Sequence, residues 1–191
     1  MLATNATPER IDPRVKRTRN LILRAFNELL AERGFEAITV QDIAERAEIN
    51  RATFYAHFAD KYALLDYSIR QAFRQELEKR TLSACHYSPQ NLSALIVTVC
   101  EFIAQANQHC KNSSGTFESL IENQIRQQIR ELLDLWLTQV ETKIDRDIAA
   151  TATSWVIYGL AQDWSRRKPR PPVESYAEQI RPLVERNLGM K

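Results

Sequence analysis

Glycine is scarce, with four in 191 residues, and the loops that usually need it are missing. No GxGxxG or GxxxxGK[ST] run is available to cradle a phosphate. There is also no GxSxG elbow and no HExxH pair, so the common enzyme signatures are absent. Alternating β-branched runs are nearly absent too, and with so few glycines the composition favours helices throughout. The three cysteines, Cys85, Cys100 and Cys110, are odd in number and lack CxxC spacing. Nothing in that pattern suggests a disulfide framework or a structural zinc site, and no metal site or cofactor is expected. No apolar run reaches the ~18 residues of a membrane span. The opening MLATNATPER lacks the apolar core of a secretory signal, so a cytoplasmic protein with no membrane partner is expected.

Charge is nearly balanced at +2, but it is unevenly placed. Arg10, Arg14, Lys16, Arg17, Arg19 and Arg24 lie against Asp12 alone, a basic stretch suited to phosphate contacts or to a solvated helix start. Residues 1–11 read as a disordered arm. Asp12-Pro13 then opens a helix as cap and first residue, a stripe through Ile22, Phe26, Leu29 and Leu30 continues it, and Gly34 ends it.

The most informative stretch is Thr39 to Lys61, TVQDIAERAEINRATFYAHFADK. Thr39 and Asp42 match the capping box, Asn50 is a second N-cap and Asp60 a third. Two short helices joined across Glu48-Ile49, the second running from Asn50 through Phe58, have helix-turn-helix spacing. At 100° per residue, Phe54 and Phe58 share an inward face, while Ala52 and Ala56 point the other way. Tyr55 flanks them on one side, and Thr53 and His57 flank them on the other. Low bulk at the ridge with donors beside it suits entry into a DNA major groove.

These residues, together with Thr39-Val40-Gln41-Asp42-Ile43-Ala44, Ala47, Ile49, Lys61 and Leu64-Leu65, resemble the DNA-binding domain of the TetR family of bacterial transcriptional regulators. The resemblance covers roughly residues 14 to 65. Glu48 departs from it, because the family often carries glycine at this turn. The resemblance implies an all-α fold, with an N-terminal three-helix DNA-binding domain at 12–59 and a connecting helix at 60–82. A C-terminal helical ligand-binding and dimerisation bundle at 83–191 would follow. It also implies a homodimer paired through its two C-terminal helices on a palindromic double-stranded operator. The protein would then be a repressor released by an unidentified small-molecule effector, through movement of the connecting helix. Thr39, Thr53, Tyr55, His57 and Lys61 are the implied phosphate contacts, and Gln41, Arg51, Ala52 and Ala56 lie nearest the bases.

In the second half, Ser88-Pro89 opens a helix to about Cys110, and Phe117 to Ile144 is amphipathic, as one helix or two with a bend near Gln124 to Gln128. The last helices span about Asp147 to Ser165 and Val173 to Leu188, with Pro182 expected to break or kink the second. Trp136, Trp155 and Tyr158 are candidate ligand-pocket walls, although aromatics at helical spacing are more often core. Two other readings compete: a DNA-binding redox or metal sensor switched through Cys100 or Cys110, and an all-helical enzyme.

Overall fold

A computed structural model of the chain describes residues 12–80, 86–109 and 115–189. All regular structure among these residues is helical. The chain divides into two compact units, with the boundary between Leu65 and Asp66.

Unit 1 starts with α1, Pro13–Arg33. The Asp12 carboxylate accepts from the Arg14 N–H at 2.8 Å, and Pro13 takes the first position, where no N–H is needed. Ile22, Ala25, Phe26 and Leu29 recur at helical spacing and are buried. Gly34 stops the helix at φ 74°, ψ 161°, a backbone region essentially closed to residues with a Cβ. Then come α2, Val40–Arg46, and α3, Arg51–Tyr55. The third helix is shorter than its sequence suggests, ending at Tyr55 instead of Phe58. The last turn tightens there, since the His57 N–H reaches back only to the Phe54 carbonyl at 2.9 Å. Phe35, Ile38, Ile43, Phe54 and Leu64 fill the space among these elements, each at most 3% exposed. Each such burial stabilises by about 1.5–3 kcal/mol, which a three-helix unit of this size needs.

The unit boundary falls inside α4, Lys61–Glu78, capped by Asp60, whose side chain accepts from the Ala63 N–H at 2.8 Å. The connecting helix expected to reach about Leu82 is assigned as far as Glu78, and Leu82 itself lies outside the described residues.

Unit 2 contains the later turns of α4 with α5, Pro89–His109; α6, Gly115–Leu137; α7, Arg146–Arg166; and α8, Val173–Asn187. Helix α7 packs on α5 and α6, and α8 on α5 and α7. Phe73 of α4 meets Phe102 of α5 edge-on at 5.8 Å, and Arg70 pairs with Glu131 of α6 at 3.4 Å. Two sequence expectations are corrected. Helix α6 is one uninterrupted helix and stops at Leu137, well short of Ile144. Its buried stripe of Ile125, Ile129, Leu133 and Trp136 crosses the supposed bend unbroken. Pro182 lies inside α8, which continues to Asn187. Proline denies the Glu178 carbonyl its usual partner, but both residues are exposed, so water can supply the lost bond.

Candidate functional site

The helix-turn-helix is assembled from local bonds. The Thr39 hydroxyl accepts from the Asp42 N–H at 3.2 Å, while the Thr39 N–H donates to the Asp42 carboxylate at 2.9 Å, completing the capping box. These bonds, the Thr39 side chain first, hold the Asp42 carboxyl below its ordinary range. After α2 the chain reverses over Ala47-Glu48-Ile49. Glu48 donates its N–H to Glu45 at 3.1 Å, and Ile49 donates to Ala44 at 3.0 Å, the paired bonds of a Schellman turn. Glu48 sits at φ 56°, the left-handed conformation where glycine would be unstrained. Asn50 then caps α3, accepting from the Thr53 N–H at 2.7 Å.

The resulting α3 has two faces. Phe54 is fully buried and stacks obliquely near Phe58, with centroids 5.9 Å apart. Arg51, Ala52, Tyr55 and Ala56 are all exposed on the opposite side, as is Gln41 at the start of α2. The Arg51 guanidinium lies 5.8 Å from the Tyr55 ring centre and donates to its hydroxyl at 3.3 Å. One side chain thus orients the other before any partner arrives.

The remaining candidates are placed less simply. The Thr53 hydroxyl donates to Asn50 at 2.9 Å, and the Thr39 hydroxyl also bonds Asp42. Phosphate oxygens only accept, so either hydroxyl must redirect its proton away from its present acceptor to serve one. His57 is half-buried, and burial, with the Arg19 charge second, lowers its pKa below the usual 6.5. Lys61 points its ammonium at the loop before α2, donating to the carbonyls of Phe35 at 3.2 Å, Glu36 at 3.3 Å and Ile38 at 2.9 Å. Its Nζ also lies 4.7 Å from the Phe35 ring centre. All three ammonium protons are therefore committed. Sequence reasoning passed over Arg46, which braces α2 against α1 through both Glu32 oxygens at 2.8 and 2.9 Å. An arginine in the last turn of a helix capped by Thr39 was the available signal.

Unit 2 has a cavity of about 160 Å³ between α5, α6 and α7. Of the three aromatic wall candidates, Tyr158 lines it, and Trp136 and Trp155 do not. Trp136 is 1% exposed and packs edge-on with Tyr87 at 6.2 Å, while Trp155 is 51% exposed beneath the Arg126 guanidinium, 3.5 Å away. Glu118, Glu122, Gln162 and Arg166 line the cavity, and sequence reasoning did not single them out. Cys100 is fully buried, and burial pushes its thiol up to about 12, opposite to the shift a reactive thiol needs. Cys85 and Cys110 lie outside the described residues. Among the described residues, no three His, Cys, Asp or Glu side chains group to hold a metal, and no helix is long and apolar enough to cross a membrane.

Capped short helices, a tight left-handed turn and an exposed, low-bulk second helix define a helix-turn-helix protein. Residues 22–67 match the family of bacterial regulatory proteins of the tetR type. The chain is 37% identical over 86 residues to an uncharacterized HTH-type transcriptional regulator, YxbF, of Bacillus subtilis (strain 168). That match covers 44% of this chain but only 22% of YxbF. It is 28% identical over 175 residues to the HTH-type transcriptional repressor KstR2 of Rhodococcus jostii (strain RHA1), covering 82% of this chain and 83% of that one. Its fold is similar to that of a TetR-family regulator from Streptomyces coelicolor A3, with a TM-score of 0.66 and 18% identity over 93% of this chain and 98% of the other. Over residues 22–67 the chain thus carries the DNA-binding segment of the tetR family, and the solved structures extend the likeness in fold to most of its length.

Proposed function

We propose that this chain is a sequence-specific DNA-binding regulator of transcription that acts in the cytoplasm as a homodimer. It represses from a palindromic operator until a small molecule releases it. The observation that carries the reading is the outward face of α3, where Arg51, Ala52, Tyr55 and Ala56 are exposed while Phe54 anchors the helix from behind. In this reading each protomer lays α3 in a major groove, with half-sites about 34–36 Å apart or a multiple of that. Gln41, Arg51, Ala52 and Ala56 face the bases, and the alanines favour a thymine methyl. Thr39, Thr53, Tyr55 and His57 meet phosphates, the threonines by turning their hydroxyls outward. Lys61 acts through the loop it holds.

Dimerisation through α7 and α8 is supported by Ile148, Trp155 and Leu183, three large apolar side chains at least 44% exposed on those two helices. Release by a ligand is supported by the cavity beside Tyr158. The connecting α4 has ties suited to transmitting that event: Lys61 binds its first turn into unit 1, and Arg70 and Phe73 bind later turns within unit 2. The test is selection from random duplex DNA followed by salt titration of the winner. An enriched palindrome bound far above random DNA is the expected result. Binding that is salt-sensitive but blind to sequence would refute the reading.

A further inference from the structure

The cavity in unit 2 is small and graded. Ile103 and Ile125 form a buried apolar floor, each at most 2% exposed. Toward the opening stand Tyr158 and Gln162, half-buried, and at the mouth Glu118 and Arg166, both exposed. Glu122 also faces the cavity, but it already has a partner in Arg126 at 3.4 Å. Glu118 and Arg166 have no ion-pair partner among the described residues, and the Tyr158 hydroxyl has no hydrogen bond there. Burial raises the Tyr158 pKa to about 12, with Glu122 adding to the effect, so the phenol stays neutral and can both donate and accept.

Size and charge restrict what can enter. A dry cavity of ~150 Å³ accommodates a benzene-sized body, and drug-sized pockets begin near ~300 Å³. At about 160 Å³ this one takes a single ring. The four charges around it, Glu118, Glu122, Arg126 and Arg166, cancel. A charged ring would be attracted by one of the two mouth groups, Glu118 or Arg166, repelled by the other, and would lose its hydration on entering. The groups that can exchange water for a ligand are a carboxylate that accepts, a guanidinium that donates, and a phenol that does either. A hydroxyl satisfies all three kinds.

We propose that this slot takes a compact, uncharged, hydroxylated ring compound of roughly six to ten non-hydrogen atoms as the chain's effector. The ring rests on Ile103 and Ile125, and its hydroxyl groups bond Tyr158 and the Glu118–Arg166 mouth. This rests on the reading of unit 2 as the ligand-responsive part of the protein. A long phosphorylated amphiphile such as an acyl-coenzyme A is far larger than the slot and would find Arg166 as the one cation in its lining.

The experiment measures binding of phenol, toluene, 1,2-cyclohexanediol, benzoate, benzylamine and lauroyl-coenzyme A to the full chain by calorimetry. A second arm measures displacement of a selected duplex. Phenol and the diol should bind, toluene about tenfold more weakly, and the charged rings more weakly still. Tyr158→Phe should erase most of the preference for phenol over toluene without lowering toluene affinity. Ala106→Leu, which narrows the slot from a half-buried wall position, should block every ring. Tighter binding of benzoate, benzylamine or lauroyl-coenzyme A would overturn the proposal. So would indifference of phenol to both variants, or failure of every ring to bind a folded chain. Rings that bind as expected but leave the duplex bound would refute ligand release and leave the slot assignment standing. Displacement by lauroyl-coenzyme A alone would do the reverse.

Discussion

Replacing Lys61 with methionine keeps the aliphatic stem over Phe35 and removes the ammonium that three carbonyls share. A hydrogen bond from a charged donor nets about 1.5–3 kcal/mol, but here three bonds draw on one half-exposed cation, two of them at 3.2 and 3.3 Å. One full bond's worth is a fair sum, and the contact with the Phe35 ring adds about 0.5 kcal/mol. Unit 1 should therefore lose about 2 kcal/mol. Fluorescence would miss this, because Trp136, Trp155 and Trp164 all belong to unit 2. Hydrogen exchange of peptides covering residues 39–58 reads it directly, and their protection should fall about 30-fold, since each 1.4 kcal/mol is a factor of ten. The salt dependence of operator binding supplies the second reading. A lost phosphate contact lowers the slope of log K against log salt by about 0.9, whereas a lost internal brace leaves the slope unchanged. A slope reduced by about one unit with exchange unaltered would refute this account of Lys61 and return it to the phosphate contacts.

Other expectations follow from the same site. Glu48→Gly should stabilise unit 1 by about 1 kcal/mol, because the left-handed backbone costs an L-residue about 1–2 and glycine gives back part of that as unfolded-chain entropy. Urea melts followed by far-ultraviolet dichroism test it, and a loss of stability would contradict the turn geometry. His57 is held below its usual 6.5, so its contribution to stability is complete above pH 6.5 and is lost as pH falls from there through the folded pKa. A phosphate beside it reverses the preference, so operator affinity should rise as pH drops below 6.5 and the rise should flatten in His57→Gln. Tyr55→Phe should weaken binding to all sequences alike, whereas Arg51→Ala should relax preference at one base position by about 1–3 kcal/mol; a repeated selection separates the two outcomes. Cys100 should resist alkylation at pH 8 until the chain is unfolded, and rapid native labelling would reopen a thiol-based switch.

What could be read from sequence was whatever local chemistry decides. The caps at Asp12, Thr39, Asn50 and Asp60 use oxygens two or three residues from their donors, so spacing alone locates them. Glu48 stood out only through the resemblance, in which glycine is frequent at that turn, and the structure places it at φ 56°. Tertiary choices were not legible. Trp136 and Trp155 both sit at helical spacing among apolar neighbours, yet one is buried and the other faces water. Only the packing of α7 against α5 and α6 distinguishes them. The cavity lining was hidden in the same way: Glu118 and Glu122, and Tyr158, Gln162 and Arg166, recur every four residues, but a period does not say which neighbour a face meets. Pro182 does not break α8, and what sequence could not tell is that Glu178, whose carbonyl loses its partner, is an exposed residue.

The exposed apolar groups of α7 and α8 carry a consequence for dosage. Where Ile148, Trp155 and Leu183 are covered by a second copy of the chain, the DNA-competent species is scarce at low expression and grows with the square of protomer supply. Halving synthesis in that range would cut operator occupancy about fourfold, before any effector is present. In the repressor dimer proposed above, the contacts that set this threshold are far in sequence from α3, so a change such as Trp155→Arg would move the expression level at which a promoter closes and leave its preferred sequence unaltered.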